Sequence, residues 1–196
     1  EKSVWSLTEG RRATVENAKK AADMGVDMIV LTGNPGVGVD NKAITKALAD
    51  LNEAVGDRVI LTAGKMHASG ILSEAGEKIL TKEDADTFIE AGADVLLLPA
   101  PGTVPGFTME HAAELIKTAH EKGVLAMTTI GTSQEGADEE TIRQIALMCK
   151  MAGADIHHIG DSGYMGMALP ENITAYSVAI RGKRHTYRRM AMSLVR

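Results

Sequence analysis

Several things are scarce in this 196-residue sequence: it has one cysteine, five prolines and only six aromatic residues, namely one Trp, three Tyr and two Phe. The lone cysteine, Cys149, excludes an internal disulfide framework and any CxxC zinc or redox site, and it suits a reducing compartment. No apolar run approaches the ~20 residues that a membrane helix needs. The sequence therefore predicts a cytoplasmic protein with no membrane partner.

The composition is that of a globular α/β protein. Hydrophobic residues make up 44% and charged residues 24% of the chain, and 20 glycines imply many tight turns. The net charge of −5 divides unevenly, because residues 181–196 carry six cations and no acid, which leaves 15 cations against 26 acids in the rest. An acidic body argues against nucleic acid as a partner, so we expect a small-molecule substrate and a homo-oligomer that uses the basic tail.

Amphipathic segments alternate along the chain with short β-branched runs. The apolar runs predict strands at 27–32, 58–62, 95–98, 124–129 and 156–159. The helices between them are expected to start at Thr14, Asp40, Thr81, Thr108 and Asp138, which are N-cap residue types, and a last helix starts at Pro170. Gly182 is expected to break that last helix before a short basic one.

Three of the strands begin with near copies of one sequence. MGVDMIVLTG starts at Met24, AGADVLLLPAPG at Ala91 and AGADIHHIGDSG at Ala152, so the copies lie two βα units apart each time. Repetition of a strand and a crossover helix is typical of a parallel sheet.

Polar side chains follow all five predicted strands, as they do around the carboxyl-terminal rim of a TIM-type (β/α)8 barrel. An open five-stranded doubly wound parallel sheet is the alternative, but it gathers its ligand groups at one switch point. We therefore expect residues 1–196 to form one α/β domain that supplies about five βα units, which correspond to strands 4–8 of a barrel. The domain is expected to end in a basic helix at about 183–196. The chain begins at Glu1 rather than Met, which agrees with an upstream part that would hold the first three strands.

Six segments resemble an uncharacterised bacterial barrel family, some of whose members are labelled haloacid dehalogenase-like hydrolases. They are LTGNPG (31–36), TAGKMH (62–67), LLPAPGTVPG (97–106), IGTSQEGADEETIRQIAL (130–147), DIHHIGDSGY (155–164) and IRGKRHTYRRMA (180–191). The resemblance implies a (β/α)8 barrel and assigns no catalytic residue. The hydrolase label fits poorly, because no predicted strand ends in the Asp-x-Asp that a haloacid dehalogenase requires.

Glycine-rich loops after the last two strands occupy the place where barrels commonly bind phosphate. The predicted anion-binding residues are Gly131, Thr132 and Ser133 in one loop and Gly160, Ser162 and Gly163 in the other. Asn34, after the first strand, suits a substrate hydroxyl. The alternative is that these glycines only form tight turns.

Lys65 and His67 follow the second strand and are the leading catalytic candidates, with Glu135 and Asp161 as carboxylates. A lysine at a barrel mouth can act as a base or form a Schiff base; otherwise it pairs with an acid or a phosphate. Strand alternation would place His67 on the same side as Lys65, where an imidazole serves as acid and base.

A metal site is the second possibility. His157 and His158 are adjacent and must face opposite ways, so one of them should pack against a helix. His67, His158 and Asp161, with Glu135 nearby, offer N and O ligands for a divalent metal, although no HxH or HExxH spacing supports one. No cofactor is predicted for the leading hypothesis.

Three functions are consistent with these residues. The leading one is an aldolase-type barrel enzyme that acts on a small phosphorylated or carboxylated metabolite by lyase, aldol or proton-transfer chemistry. The alternatives are metal-assisted hydrolysis or lyase chemistry, and a non-catalytic metabolite-binding barrel.

Overall fold

A computed structural model describes residues 9–33, 39–67, 71–132, 134–160 and 168–192. Five strands form one parallel sheet in the order β1-β2-β3-β4-β5. The strands are Met28–Thr32, Ile60–Gly64, Val95–Pro99, Leu125–Ile130 and Ile156–Ile159. The order follows the sequence and never reverses, so the doubly wound alternative is wrong. The sheet and its flanking helices are five units of a partial (β/α)8 barrel.

Six helices alternate with these strands, and each packs against the next along the chain. They are α1 Val15–Asp23, α2 Asn41–Val55, α3 Lys82–Glu90, α4 Met109–Glu121, α5 Glu139–Ala152 and α6 Pro170–Ala191. Short 3₁₀ turns lie in the loops at Glu9–Arg11, Leu72–Glu74, Gly76–Ile79 and Gln134–Gly136. No helix of the described residues is long and apolar enough to cross a membrane.

The predicted N-caps are confirmed. The side chains of Thr14, Asp40, Thr81, Thr108 and Asp138 each accept a hydrogen bond from a backbone N–H in the first turn of their helix. Thr81 and Asp84 form a reciprocal capping box. Pro170 opens α6, and Gly182 interrupts it with φ 76° and ψ 162°, so the predicted break is also confirmed. The basic segment beyond it is helical to Ala191, and residues 193–196 lie outside the described part.

The second strand begins two residues later than the sequence predicts, at Ile60 rather than 58. Arg58 and Val59 donate their backbone N–H groups to Val55 O and so belong to the turn that ends α2. The strand then continues to Gly64, a residue type that is depleted in strands.

Side chains on the two faces of the sheet form separate cores. On the outer face, strand residues such as Leu61, Ala63, Leu96 and Leu98 pack under the helices. On the inner face, Met66, Val95, Leu97 and Met127 form a small buried cluster with Met28 and Ile156 against it. The inner face is the one that a closed barrel would enclose.

Candidate active site

The loops at the carboxyl ends of the strands meet one another. A Cβ built on Gly131, after β4, would lie 2.8 Å from Met66 Sδ, after β2. Thr132 Oγ1 donates to Thr103 O at 2.9 Å, which joins the β4 loop to the β3 loop. We call this set of contacting loop residues the rim. It brings together the ends of three strands, as the active face of a barrel requires.

Lys65 lies at this rim and is 1% exposed. It directly follows Gly64, the last residue of β2, and its Cγ would be 3.3 Å from a Cβ on Gly33 at the end of β1. Leu61 and Ala63 pack against the helices. Side chains two residues apart in a strand point to the same side, so the Lys65 side chain also starts on the helix-facing side. Met66 instead enters the inner cluster. The lysine stem therefore rises between the ends of β1 and β2 and the top of α2.

His67 is half-buried, three residues beyond the end of β2. The strand stops at Gly64, directly before Lys65, so strand alternation does not set the direction of His67 two residues further on, and the common side of Lys65 and His67 stays a prediction. The direction of His67 is set by the conformation of its loop. His158, on β5, alternates with His157 and so lies on the inner face with Ile156.

Glu135 lies in the 3₁₀ turn of the β4 loop and is only 8% exposed. Its Oε2 is buried and has no hydrogen-bond partner among the described residues. In the same loop, the Thr132 hydroxyl also contacts the side-chain amide of Gln134. A buried carboxyl oxygen beside the rim without such a partner is a favourable site for a hydrogen-bond donor of a ligand.

Asn172 fixes this loop, and the sequence did not single it out. It is 1% exposed in the first turn of α6, and its amide nitrogen donates to Glu135 O and to Ala137 O, both at 2.8 Å. The sequence does show a polar residue in the first turn of a helix that follows a glycine-rich loop, which could have marked Asn172 as a candidate. It does not show that Asn172 contacts a loop 37 residues earlier in the chain.

We expect Asn172→Ala to lower the free energy of unfolding by about 3 kcal/mol, because it leaves two backbone carbonyls without their donor. Thr174→Ala is the matched control, since the hydroxyl of half-buried Thr174 donates to Pro170 O within the same helix and does not contact the loop. Urea unfolding of both variants measures the difference. Equal midpoints for the two variants would show that the amide does not hold the loop.

His157 is the histidine that packs against a helix, as predicted for one of the pair. Its Nδ1 lies 3.0 Å from Tyr176 Oη of α6, and the two rings meet edge to face with centroids 5.4 Å apart. Burial lowers the pKa of His157, and the charge of Arg181 lowers it further. Burial likewise raises the pKa of Tyr176. These residues belong to the helix-facing layer and not to the rim.

The His157 environment makes the stability of the fold pH-dependent. Its folded pKa is below the unfolded value of about 6.5, so protons bind the unfolded chain more readily. The contribution of neutral His157 is complete above that pH and is lost as the pH falls below it. We expect the loss of stability between pH 7.5 and pH 5.5 to be smaller in His157→Gln than in the original protein, as urea midpoints at both pH values would show. An identical pH dependence in the two proteins would contradict this assignment.

The remaining predicted residues divide into two groups. Gly131 and Gly160 are described, and Gly160 adopts φ 135°, a conformation that side chains disfavour. Asn34, Ser133, Asp161, Ser162 and Gly163 lie outside the described residues. Within the described ranges, no group of three or more His, Cys, Asp or Glu side chains is placed to hold a metal ion. The metal alternative includes Asp161 and stays a prediction.

A sequential parallel sheet with helices on its outer face and polar loops meeting at the carboxyl ends of the strands defines the class: this is the larger part of a TIM-type barrel. The chain belongs to the family described as a domain of unknown function, DUF7916, which matches residues 1–196. A search of curated proteins finds no match. The expected barrel family is thus supported at the level of fold, and nothing in the comparisons supports the haloacid dehalogenase label.

Solved barrel structures share this fold at low sequence identity. A protein from Burkholderia cenocepacia, provisionally described as a lyase/mutase, matches with TM-score 0.62 and 16% identity over 86% of this chain and 63% of its own. Deoxyribose phosphate aldolase from Aeropyrum pernix matches with TM-score 0.62 and 21% identity over 87% and 68%. Oxaloacetate acetylhydrolase matches with TM-score 0.61 and 12% identity over 85% and 61%. The chain spans less than two thirds of the length of the first and third of these proteins.

Proposed function

We propose that this chain carries most of the active-site rim of an aldolase-type barrel enzyme. Its substrate would be a small phosphorylated or carboxylated metabolite, and its chemistry lyase, aldol or proton transfer. Two of the structurally similar proteins are described by such substrates, a deoxyribose phosphate and an oxaloacetate. That likeness supports the class of reaction and leaves the substrate to be found.

The burial of Lys65 carries the proposal. Lys65 is the only lysine or arginine of the described residues that is buried, and it lies at the carboxyl ends of the strands. Burying an ammonium group is expensive unless acceptors or a negative charge offset the loss of water. An anionic substrate at the rim would interact with that charge directly.

The other candidates take roles around Lys65. Gly131 and Thr132, with Ser133, would offer backbone donors to a phosphate or carboxylate, and the loop with Gly160, Ser162 and Gly163 would form the other half of the anion site. Asn34 would bind a substrate hydroxyl. His67, Glu135 and Asp161 would hold or move protons. Of these, Glu135 has the clearest support, because its buried Oε2 is without a partner among the described residues.

Two roles are open to Lys65 within this proposal. In the covalent role, the amine in its neutral form attacks the substrate carbonyl carbon, and the resulting carbinolamine takes up a proton and loses water to give an iminium. The electron pair of the breaking C–C or C–H bond then moves to that iminium, and a neighbouring base takes the proton. In the electrostatic role, the ammonium holds the anion and stabilises the developing enolate. The helix-facing start of the side chain favours the second role, because the covalent one requires the stem to reach over the strand end.

Borohydride trapping separates these roles. The protein is incubated with a panel of keto acids and sugar phosphates, reduced, digested and analysed by mass spectrometry. In the covalent role, a substrate adduct appears on the peptide with Lys65, disappears in Lys65→Met and persists in Lys82→Met, where an exposed lysine of α3 is replaced. Binding without an adduct assigns Lys65 the electrostatic role. If no panel member either binds or forms an adduct, the proposed enzyme class is wrong.

A further inference from the structure

The aspartates of the repeated sequence have a common structural role. Leu61 N, on β2, donates to Asp94 Oδ2 at 2.8 Å, and Asp94 N donates back to Leu61 O at 2.8 Å. Ala126 N, on β4, donates to Asp155 Oδ2 at 2.8 Å, and Asp155 N donates back to Ala126 O at 3.0 Å. Each aspartate therefore binds both backbone groups of the second residue of the preceding strand.

Asp27 occupies the same position in the first copy. The residue before each aspartate donates to a helix carbonyl: Val26 to Ala21 O, Ala93 to Phe88 O and Ala154 to Cys149 O, each at 3.1 Å. The bond to the following strand is also repeated, since Ile60 N donates to Asp27 O and Leu125 N donates to Asp94 O. The backbone at Asp27 is therefore set up in the same way as at Asp94.

Asp27 differs from the other two aspartates only in what lies beside it. It directly precedes β1, an edge strand of the described sheet, and it is exposed. No strand of the described residues occupies the side on which Asp94 and Asp155 find their partners. The backbone of Asp27 therefore lies at an open edge in the arrangement that two other copies use to hold a strand.

We propose that Asp27 is the docking point for a further parallel strand, supplied by an additional βα unit outside residues 1–196. The second residue of that strand would donate its N–H to the Asp27 carboxylate and accept from the Asp27 amide. Its sequence would lack an aspartate at the equivalent position, as β2 and β4 do. The inference comes from hydrogen bonds at the sheet edge and is independent of the proposed chemistry.

The alternation of strand types identifies the partner. An aspartate directly precedes each of β1, β3 and β5, and β2 and β4 form the hydrogen bonds with Asp94 and Asp155. The β5 edge of a second copy would bring an Asp155 strand against the Asp27 strand, so a second copy does not fit. In a closed ring, strands with and without a preceding aspartate can alternate throughout only if the total number of strands is even. Five strands are described, so the number of additional strands must be odd. Three additional strands complete the eight of a barrel.

Exposed apolar residues on the inner face support the same partner. Val30, Ile60 and Leu125 alternate with the outward-packed residues of their strands and are 40%, 43% and 48% exposed. Large apolar side chains on a concave sheet face are normally covered, and the facing strands of a closed barrel would cover these.

Hydrogen exchange tests the proposal in the natural gene product, compared with residues 1–196 produced alone. We expect the amides of Asp27 and Val30 to exchange at least ~100-fold more slowly in the gene product, because strand pairing protects them. Asp27→Ala should raise the exchange rate at this edge by ~10-fold or more, whereas Asp23→Ala, which removes an exposed ion pair with Arg58, should not. Asp94→Ala removes the carboxylate that accepts from the Leu61 amide. The rise in the exchange rate of that amide shows how large an effect to expect when such an aspartate is removed.

Two results would overturn the proposal. One is rapid exchange at Asp27 in the natural gene product, which would mean that the edge is open. The other is protection of Asp27 in residues 1–196 alone that grows with protein concentration, because a second copy would then be the partner.

Discussion

Gly64→Ala is expected to prevent stable folding, or to lower the free energy of unfolding by more than about 4 kcal/mol. A Cβ at position 64 would lie 1.8 Å from Leu97 O and 2.6 Å from Leu97 C. These are backbone atoms of the neighbouring strand, in register with Gly64, so no side-chain rotation can relieve the overlap. Strands β2 and β3 would have to separate at the rim.

Gly136→Ala is the control for this substitution. Gly136 lies in the loop after β4, and a Cβ there meets nothing within 4 Å. Urea unfolding, followed by circular dichroism, should give a midpoint near that of the original protein for Gly136→Ala and a large loss for Gly64→Ala. Similar midpoints for both variants would show that the two strands do not approach as closely as described.

Lys65→Met is expected to have the largest effect on function. The substitution keeps the length and the apolar character of the stem and removes the charge. Once a turned-over substrate has been identified, we expect kcat/KM to fall by about 10³-fold, which corresponds to about 4 kcal/mol of transition-state stabilisation. The free energy of unfolding should change far less than in Gly64→Ala, because methionine fills the space of the apolar lysine stem.

The combination of lost activity and retained stability is what distinguishes a functional lysine from a structural one. Lys82→Met, at an exposed position, should leave both quantities unchanged. A Lys65→Met protein that loses stability and keeps its activity would assign Lys65 to the fold alone.

Local chemistry made most of the fold predictable. N-cap residues such as Thr14 and Asp138 satisfy backbone donors within a few residues of themselves, so their effect can be read from a short segment. The repeat that begins at Met24, Ala91 and Ala152 gave the parallel arrangement, and the polar residues after every strand favoured the barrel over the open sheet. β2 was misplaced by two residues, because the turn that joins Arg58 and Val59 to Val55 looks like a strand in sequence.

The candidate site was less predictable, because its contacts are between loops far apart in the chain. The position of Lys65 directly after a strand predicted that it lies at the rim. Its burial could not be predicted, because it depends on the packing of the lysine stem beside Gly33 and α2. Asn172 was missed, since its two acceptors come from the loop before α5. The role of Asp27 also became visible only when the hydrogen bonds of Asp94 and Asp155 were compared.

The location of a bound anion tests the central claim most directly. The described surface offers a competing site at the opposite end of the strands, a cleft of ≈ 590 Å³ lined by Asp57, Arg58 and Asp94 among others. Amide chemical shifts of the protein titrated with inorganic phosphate, and separately with a keto acid, would map the site. We predict saturable shifts at Gly131, Thr132 and Gly160 that are lost in Lys65→Met. Shifts confined to the amino-terminal cleft, or none at either end, would contradict an active-site rim at the carboxyl ends of the strands.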